Sequence, residues 1–124
     1  MTRRDFRETL KGQLKAARLF QEYEMDFRTW EILLLIATDE GEGAVALAKK
    51  HGISKSAFSR HVLFLCGERA KRGNQKDAPD PKVHKLPGRL VEKRTDPKDI
   101  RRHSLYLTRE GHSFIDQVQK LIAG

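Results

Sequence analysis

Hydrophobic residues recur at helical spacing through much of this 124-residue chain, beginning with residues 3–22. The apolar side chains there repeat every three or four residues, which places them on one side of a helix. They are Phe6, Leu10, Leu14, Ala17 and Leu19 or Phe20. Gly12 interrupts this pattern, because glycine in a helix interior costs about 1 kcal/mol relative to alanine. We therefore predict an N-terminal helix with one apolar face.

Two further helices are predicted before Gly52. Residues 27–38 are apolar almost all round, which indicates a central, buried helix, and Asp26 can cap its first turn. A turn over 39–43 separates this helix from a short one over 44–51. Gly52 closes the short helix, since glycine adopts the left-handed conformation found at helix C-termini without strain.

A fourth helix is predicted to begin after Ser54, which can cap it, and to run to about residue 69. Its apolar stripe, at intervals of four and three residues, consists of Phe58, Val62 and Leu65. The polar stretch that follows contains three of the four prolines and is predicted to be a loop over 70–88.

Strand spacing then replaces helical spacing. Residues 89–95 and 103–108 are predicted to be two strands joined through a charged turn at Asp96-Pro97. In the second strand the leucines share one face, while Ser104 and Tyr106 share the other. Thr108 can cap a last helix that ends near residue 122. Its apolar side is formed by Phe114, Ile115, Val118, Leu121 and Ile122. The predicted fold is mainly α with a small β-hairpin, the outline of a winged helix-turn-helix.

Charge is distributed unevenly along the chain, which carries a formal net charge of +8. Residues 1–43 have a net charge of −2, residues 44–109 of +11 and residues 110–124 of −1. All of the excess positive charge therefore lies where the fourth helix and the hairpin are predicted. This distribution indicates that the charge serves to bind a polyanionic partner, such as nucleic acid, and not solubility alone.

Length and composition narrow the class of protein. The longest apolar run is far shorter than the ~18 residues needed to span a bilayer, and no signal peptide is recognisable at the N-terminus. A single cysteine, Cys66, suits a reducing compartment. We expect one domain over residues 1–124, located in the cytoplasm and without a membrane contact.

Residues 44–63 have the pattern of a helix-turn-helix. Ala48 is small enough to let two helices cross closely, Gly52 allows the tight turn, and Ile53 closes the corner. The second helix offers an outward polar face, which consists of Ser54, Lys55, Ser56, Ser59 and Arg60. Such a helix enters the major groove of DNA, where hydroxyl groups reach bases or phosphates and Arg60 can pair bidentately with guanine. The alternative is an ordinary helical hairpin with a solvated face.

Three segments resemble the MarR family of bacterial transcription regulators. Residues 27–37 resemble the helix that precedes the family's helix-turn-helix, and residues 54–62 resemble its recognition helix. Residues 90–101 together with 105–111 are similar to the family's wing and to the start of the helix after it. The resemblance covers most of residues 25–112.

The resemblance implies roles for the wing, where Asp99, Arg101 and the sequence Thr108-x-x-Gly111 are in register with the family. Arg101 would project into a minor groove, and Asp99 would orient it through a charge-assisted hydrogen bond. Contacts to phosphates, which position a protein without specifying sequence, would be made by Arg94, Lys98 and Arg102. The alternative is that Asp99 and Arg101 brace a surface hairpin.

Two features depart from the family pattern. About twenty residues, centred on 69–88, are inserted before the wing, and they are open to three interpretations: a contact to the DNA backbone, a contact to another protein, or a solvated loop. The family's long C-terminal helices, which join two subunits and frame a ligand pocket, are reduced to one predicted helix. A dimer would therefore use residues 3–22 and 109–122, and this speaks against a small-molecule effector.

These observations predict the following division of the chain: an N-terminal helix that can dimerise (1–24), a helical core (25–69), an inserted loop (70–88), a wing (89–108) and a C-terminal helix (109–124). The predicted function is sequence-specific binding of double-stranded DNA by a homodimeric transcriptional regulator, in the first instance a repressor. One alternative is a plasmid or phage protein that binds a replication origin. Another is a winged helix used for protein–protein contact.

Enzymatic chemistry is not indicated. The sequence contains no glycine-rich phosphate loop, nucleophile elbow or paired-carboxylate motif. The five histidines lack metal-ligand spacing, and Cys66 is predicted to be too buried for a redox sensor. We expect no catalytic residue, no metal and no cofactor.

Overall fold

A computed structural model of the chain describes residues 2–67, 86 and 88–123, and the side chains of residues 96 and 99–102 lie outside that description. The elements in chain order are α1 (Arg3–Glu22), α2 (Phe27–Thr38), α3 (Ala44–Lys50), α4 (Lys55–Leu65), β1 (Val91–Asp96), β2 (Asp99–Leu107) and α5 (Arg109–Ala123). The two strands form an antiparallel hairpin. The predicted fold class, mainly α with a small β-hairpin, is confirmed.

Side chains cap the helices where the sequence predicts it. The Thr29 backbone N–H donates to Asp26 Oδ1 (2.8 Å) at the start of α2, and the Ala57 N–H donates to Ser54 Oγ (3.2 Å) at the start of α4. These bonds satisfy backbone N–H groups that have no partner within the helix. α1 begins with a reciprocal capping box between Thr2 and Asp5, which lowers the pKa of the Asp5 carboxyl through the hydrogen bonds from Thr2.

Two predicted boundaries are wrong. α4 ends at Leu65, four residues earlier than predicted, because Gly67 adopts a left-handed conformation (φ +78°) and donates its N–H to the Phe64 carbonyl (3.0 Å). β2 begins at Asp99, four residues before the predicted start at His103. Its first residue, Asp99, pairs with Asp96 of β1 although the composition of this segment is typical of a turn.

The core joins one side of α2 to α3, α4, the hairpin and α5. Its largest fully buried side chains are Phe58, Ile32, Leu33, Ile36, Leu47, Leu65, Leu90 and Leu105. The prediction that α2 is a central, buried helix holds for one side only, since Phe27 is 83% exposed and Leu34 and Leu35 are half-buried. Within the described part of the chain, no element covers this outer side of α2 completely.

α1 packs against α5 through Gly12. A Cβ atom at this position would lie 1.9 Å from the Leu121 carbonyl oxygen, so glycine is what allows the two helix backbones to approach so closely. The residue that weakens α1 as an isolated helix thus makes its tertiary contact possible. Another side of α1 faces solvent, where Phe6, Leu10 and Leu14 are 55%, 47% and 50% exposed.

Candidate nucleic-acid interface

The turn between α3 and α4 has the geometry of a helix-turn-helix. Gly52 has φ +66°, and the Ile53 N–H returns to the Ala48 carbonyl (2.9 Å), which closes the C-terminus of α3. Ala48 is buried in the core, and Ile53 packs against it. The turn predicted at Gly52 and the packing predicted for Ile53 agree with these contacts.

α4 presents one apolar and one polar side. Phe58, Val62 and Leu65 are buried and hold the helix from behind. The predicted DNA-facing residues Ser54, Lys55, Ser56, Ser59 and Arg60 are all exposed. The first turn of α4 contains no acidic residue, so the partial positive charge of the helix N-terminus adds to that of Lys55. Ser54 also serves as the cap, and its oxygen is already used as an acceptor by Ala57.

The faces of the hairpin follow its register. Val91 lies opposite Leu107 and Lys93 opposite Leu105, while Glu92 lies opposite Tyr106. The leucines are buried, as predicted, and Glu92 and Tyr106 are on the outer face together with Arg94. The hairpin therefore contributes one face to the core and one to solvent.

Arg94 is engaged within this outer face. Its Nε and one terminal nitrogen donate to Glu92 Oε1 (3.0 and 2.6 Å), and its guanidinium lies 4.0 Å from the centre of the Tyr106 ring. The hydrogen bond to Glu92 raises the pKa of Arg94 above its ordinary value. The phosphate contact predicted for Arg94 would have to compete with Glu92 for the guanidinium.

The tip of the wing is formed by Pro97 and Lys98, one residue later than the turn predicted at Asp96-Pro97. Lys98 is exposed. The register shifts from Thr95 opposite His103 to Asp96 opposite Asp99, so the pairing of the two strands is irregular at residues 100–102 of β2. The side chains of Asp99, Arg101 and Arg102 lie outside the description, and their predicted roles stay predictions.

Backbone hydrogen bonds couple the wing to the helices. The Leu90 N–H donates to the Leu65 carbonyl (2.9 Å), which joins the start of the wing to the end of α4. Gly41 N–H donates to the Leu105 carbonyl (2.9 Å), and the Leu105 N–H donates to the Glu42 carbonyl (3.0 Å). The turn before α3 therefore runs beside β2 like a short third strand. These bonds hold the base of the hairpin against the helix-turn-helix.

This arrangement occurs in known regulators. The chain has the winged-helix fold of the MarR regulators. It superposes on the transcriptional regulator Tm0710 from Thermotoga maritima (TM-score 0.59, 21% identity) over 94% of this chain and 66% of that one. It superposes on MarR (TM-score 0.57, 21% identity) over 90% of this chain and 74% of that one. It also superposes on the transcriptional repressor CouR bound to a 23-mer DNA duplex (TM-score 0.51, 25% identity), over 90% of this chain and 70% of that one.

The chain spans between 62% and 74% of the lengths of six solved structures that it resembles, and less than two thirds of the length for three of them. No family profile and no curated protein sequence matches it. The fold shared with these structures is that of transcription regulators, in agreement with the resemblance seen in the sequence.

The sequence Thr108-x-x-Gly111 joins the MarR-type wing to α5. The Thr108 hydroxyl donates to the Arg89 carbonyl and accepts from the Gly111 N–H (2.9 Å), so one side chain ties the wing and caps the helix. A Cβ atom on Gly111 would lie 2.1 Å from the Leu90 carbonyl oxygen. The close approach of α5 to the base of the hairpin therefore requires glycine at 111, and the two hydrogen bonds of Thr108 hold the helix there.

The inserted segment leaves and re-enters the MarR-type fold at one place. The bond between Leu90 and Leu65 brings the first wing residues to the end of α4, and Arg89 Cγ lies 3.2 Å from the position of a Cβ on Gly67. An insertion whose ends already meet destabilises the fold little, because the entropic cost of closing a loop grows only with the logarithm of its length. Residues 68–85 and 87 lie outside the described residues, so the three interpretations of the 69–88 insert stay predictions.

Sequence reasoning missed a polar contact behind the recognition helix. The Thr29 hydroxyl in α2 lies 2.8 Å from Asp26 Oδ1 and 2.8 Å from His61 Nδ1 in α4. Burial acts to raise the pKa of Asp26, but the two hydrogen bonds from Thr29, with the charges of His61 and Arg28, lower it overall. The spacing of Asp26 and Thr29 is visible in the sequence as a helix cap. The contact of Thr29 with His61 is not visible in the sequence, because the two residues are 32 positions apart.

The remaining candidates for chemistry that the structure describes do not come together. Cys66 is buried at the end of α4. Among the described residues, no group of three or more His, Cys, Asp or Glu side chains lies close enough to hold a metal ion. None of the helices in the described part of the chain has the length and apolar character to cross a bilayer.

Proposed function

We propose that this protein is a cytoplasmic, sequence-specific DNA-binding transcriptional regulator, most simply a repressor, with α4 in the major groove and the wing over the adjacent minor groove. The observation that carries this proposal is the outer side of α4. Five polar or basic residues with no acidic neighbour in the first turn are exposed there, while buried apolar residues fix the helix from behind. In winged-helix proteins such a helix is the element that reads base edges.

Charge supports the same proposal. The net +11 of residues 44–109 includes α3, α4 and the wing, whereas the segments on either side are slightly acidic. A surface of this sign attracts a polyanion and gives binding that weakens steeply with salt. CouR, one of the structural neighbours, is a repressor bound to a DNA duplex. Neither origin binding nor a purely protein-binding role is favoured by an observation on the described residues.

The phosphate contact predicted for Lys98 tests the proposed placement of the wing on DNA. Replacing Lys98 by alanine is expected to weaken binding to all duplexes by a similar factor and to reduce the slope of log affinity against log salt by about one, because one phosphate contact is lost. The measurement is a fluorescence-anisotropy titration of preferred and random duplexes at several salt concentrations.

Lys120→Ala is the matched control for Lys98→Ala. Lys120 is exposed on α5, where it pairs with Asp116 (2.9 Å), so the variant removes the same charge away from the wing. It should leave the salt slope close to that of the wild type. If the wild-type protein binds duplex DNA with no dependence on salt, the proposed function is wrong.

We propose further that the protein acts as a symmetric homodimer. Phe6, Leu10 and Leu14 form an exposed apolar stripe on α1. The outer side of α2 forms an open apolar groove of about 600 Å³, lined by Phe27, Arg28, Trp30, Glu31, Leu34 and Leu35. Apolar surfaces of this kind are commonly covered by a partner.

The charges beside these two surfaces are opposite. Residues 3–18 contain six Lys/Arg and two acidic residues, whereas residues 19–42 contain seven acidic residues and one arginine. A two-fold arrangement that lays α1 of each copy along α2 of the other would bury both apolar surfaces and pair these charges. In such an arrangement the same contact is made twice, once on each side of the axis.

Leu10→Asp is expected to weaken this dimer by at least about tenfold, since a buried leucine side chain contributes about 1.5–3 kcal/mol and a charge takes its place. Sedimentation equilibrium over a range of protein concentrations measures the effect. Gln119→Asp is the control, because it introduces the same charge at an exposed position on α5, outside both proposed surfaces. Equal dissociation constants for the two variants and the wild type would exclude the α1 stripe from the interface.

A further inference from the structure

Thr29 is buried in the interface between α2 and α4, with 4% of its surface exposed. Its hydroxyl has two close polar neighbours: Asp26 Oδ1 at 2.8 Å on its own helix and His61 Nδ1 at 2.8 Å on the recognition helix. Asp26 Oδ1 also accepts the backbone N–H of Thr29 (2.8 Å). The cap of α2 is thus connected through one hydroxyl group to the helix that carries Arg60.

The direction of these bonds follows from counting protons. A threonine hydroxyl has one hydrogen to donate, and an ionised carboxylate can only accept. Hydrogen bonds and neighbouring positive charge hold the pKa of Asp26 below its ordinary value, so the carboxylate is ionised near neutral pH. Thr29 therefore donates to Asp26, and its oxygen accepts the hydrogen of His61 Nδ1. Neutral His61 must then carry its proton on Nδ1, with Nε2 unprotonated.

The contact adds a directional restraint to the apolar packing of α4. Phe58, Val62 and Leu65 hold α4 against the core, but hydrophobic contact is non-directional and tolerates small rotations of a helix about its axis. A hydrogen bond weakens steeply when its angle departs from linearity. The bond from His61 to Thr29 therefore sets how far α4 is rotated, and His61 directly follows Arg60 in the chain.

We propose that Thr29 and His61 are positioning residues for DNA recognition: through their hydrogen bond, the Asp26 cap of α2 fixes the angle at which Ser59 and Arg60 meet the base edges. Neither residue touches DNA in this proposal. The proposal rests on the proposed function, since it assumes that α4 reads a duplex. Removal of this hydrogen bond should therefore lower the discrimination between sequences and leave the general attraction to DNA almost unchanged.

The test compares Thr29→Val with Thr29→Ser. Valine keeps the shape of threonine and the backbone N–H that donates to Asp26 but removes the hydroxyl, whereas serine keeps the hydroxyl. A preferred duplex is first selected from a random pool with the wild-type protein, and random-sequence duplex of the same length serves as competitor. Thr29→Val is expected to lower the ratio of the two affinities about tenfold, the equivalent of one lost base contact. Thr29→Ser should stay within about threefold of the wild type.

A second measurement reports on the bond itself. In ¹⁵N NMR of the histidine rings, neutral His61 should show a protonated Nδ1 in the wild type and in Thr29→Ser. In Thr29→Val it should show the Nε2-protonated form that free histidine prefers in water. A threonine that serves only to fill space would leave the proton on the same nitrogen in all three proteins.

The outcomes separate this proposal from the proposed function. If the wild type selects no duplex, the proposed function fails, although the NMR result for His61 can still stand. If the wild type discriminates and folded Thr29→Val discriminates equally well, the positioning role is overturned. Should Thr29→Val not fold, His61→Asn and His61→Leu replace it. Asparagine keeps an N–H at the position of Nδ1 and should retain discrimination, whereas leucine should lose it; equal discrimination by both overturns the proposal.

Discussion

An Arg60→Ala variant is expected to bind the preferred duplex about 10- to 100-fold less tightly than the wild type, while its binding to random duplex changes little. Arg60 is exposed on α4 beside the exposed serines, in a position to contact base edges. A bidentate pair between arginine and guanine contributes about 1–3 kcal/mol of discrimination against other bases. Competition titrations with the preferred duplex and single-base variants measure this effect and identify the base pair that Arg60 reads.

Arg60→Lys is the informative companion of this variant. Lysine keeps the charge but lacks the planar fork that pairs with two acceptors of guanine, so Arg60→Lys should bind random duplex like the wild type and still discriminate poorly between sequences. If Arg60→Ala instead weakens preferred and random duplexes equally, Arg60 contacts phosphate and the proposed orientation of α4 is wrong.

Phe58→Ala is expected to destabilise the protein by about 3–5 kcal/mol, because it removes a fully buried aromatic side chain and leaves a cavity. For a chain of this size the midpoint of thermal unfolding should fall by roughly 10–20 °C. Circular dichroism at 222 nm follows the transition. DNA binding should be lost at temperatures where the wild type still binds, since Phe58 is the side chain that holds the recognition helix from behind.

Phe27→Ala is the control for Phe58→Ala. The same atoms are removed, but Phe27 is 83% exposed on the outer side of α2, so the free energy of unfolding of the isolated chain should change by less than about 1 kcal/mol. Similar melting temperatures for the two variants would show that α4 is not anchored through Phe58.

Local features of the fold were predictable because their causes lie within a few residues. Asp26 and Ser54 cap the helices that follow them, and Gly52 turns the chain between α3 and α4. The alternation at Leu105 and Leu107 predicted the buried face of β2. In each case a side chain acts on backbone groups at most four positions away, or on its own face of a strand.

The two wrong boundaries have different causes. α4 ends at Leu65 because Gly67 adopts a left-handed conformation, and the Leu65 carbonyl accepts from Leu90, far along the chain. β2 starts at Asp99 because a tight turn at Pro97 and Lys98 lets Asp99 pair with Asp96. Composition alone does not show which residues of a charged segment pair across a turn.

The sequence by itself determined the helix-turn-helix, the wing and the polar face of α4, because periodicity, caps and charge are properties of short segments. Tertiary structure decided the rest. It showed that Gly12 permits the crossing of α1 and α5, that Arg94 lies over the Tyr106 ring of the neighbouring strand, and that Thr29 joins the cap of α2 to His61. The physical reason is that close approach, a cation–π contact and a shared hydroxyl depend on where chain segments meet in space. That meeting depends on the whole core, which no short segment contains.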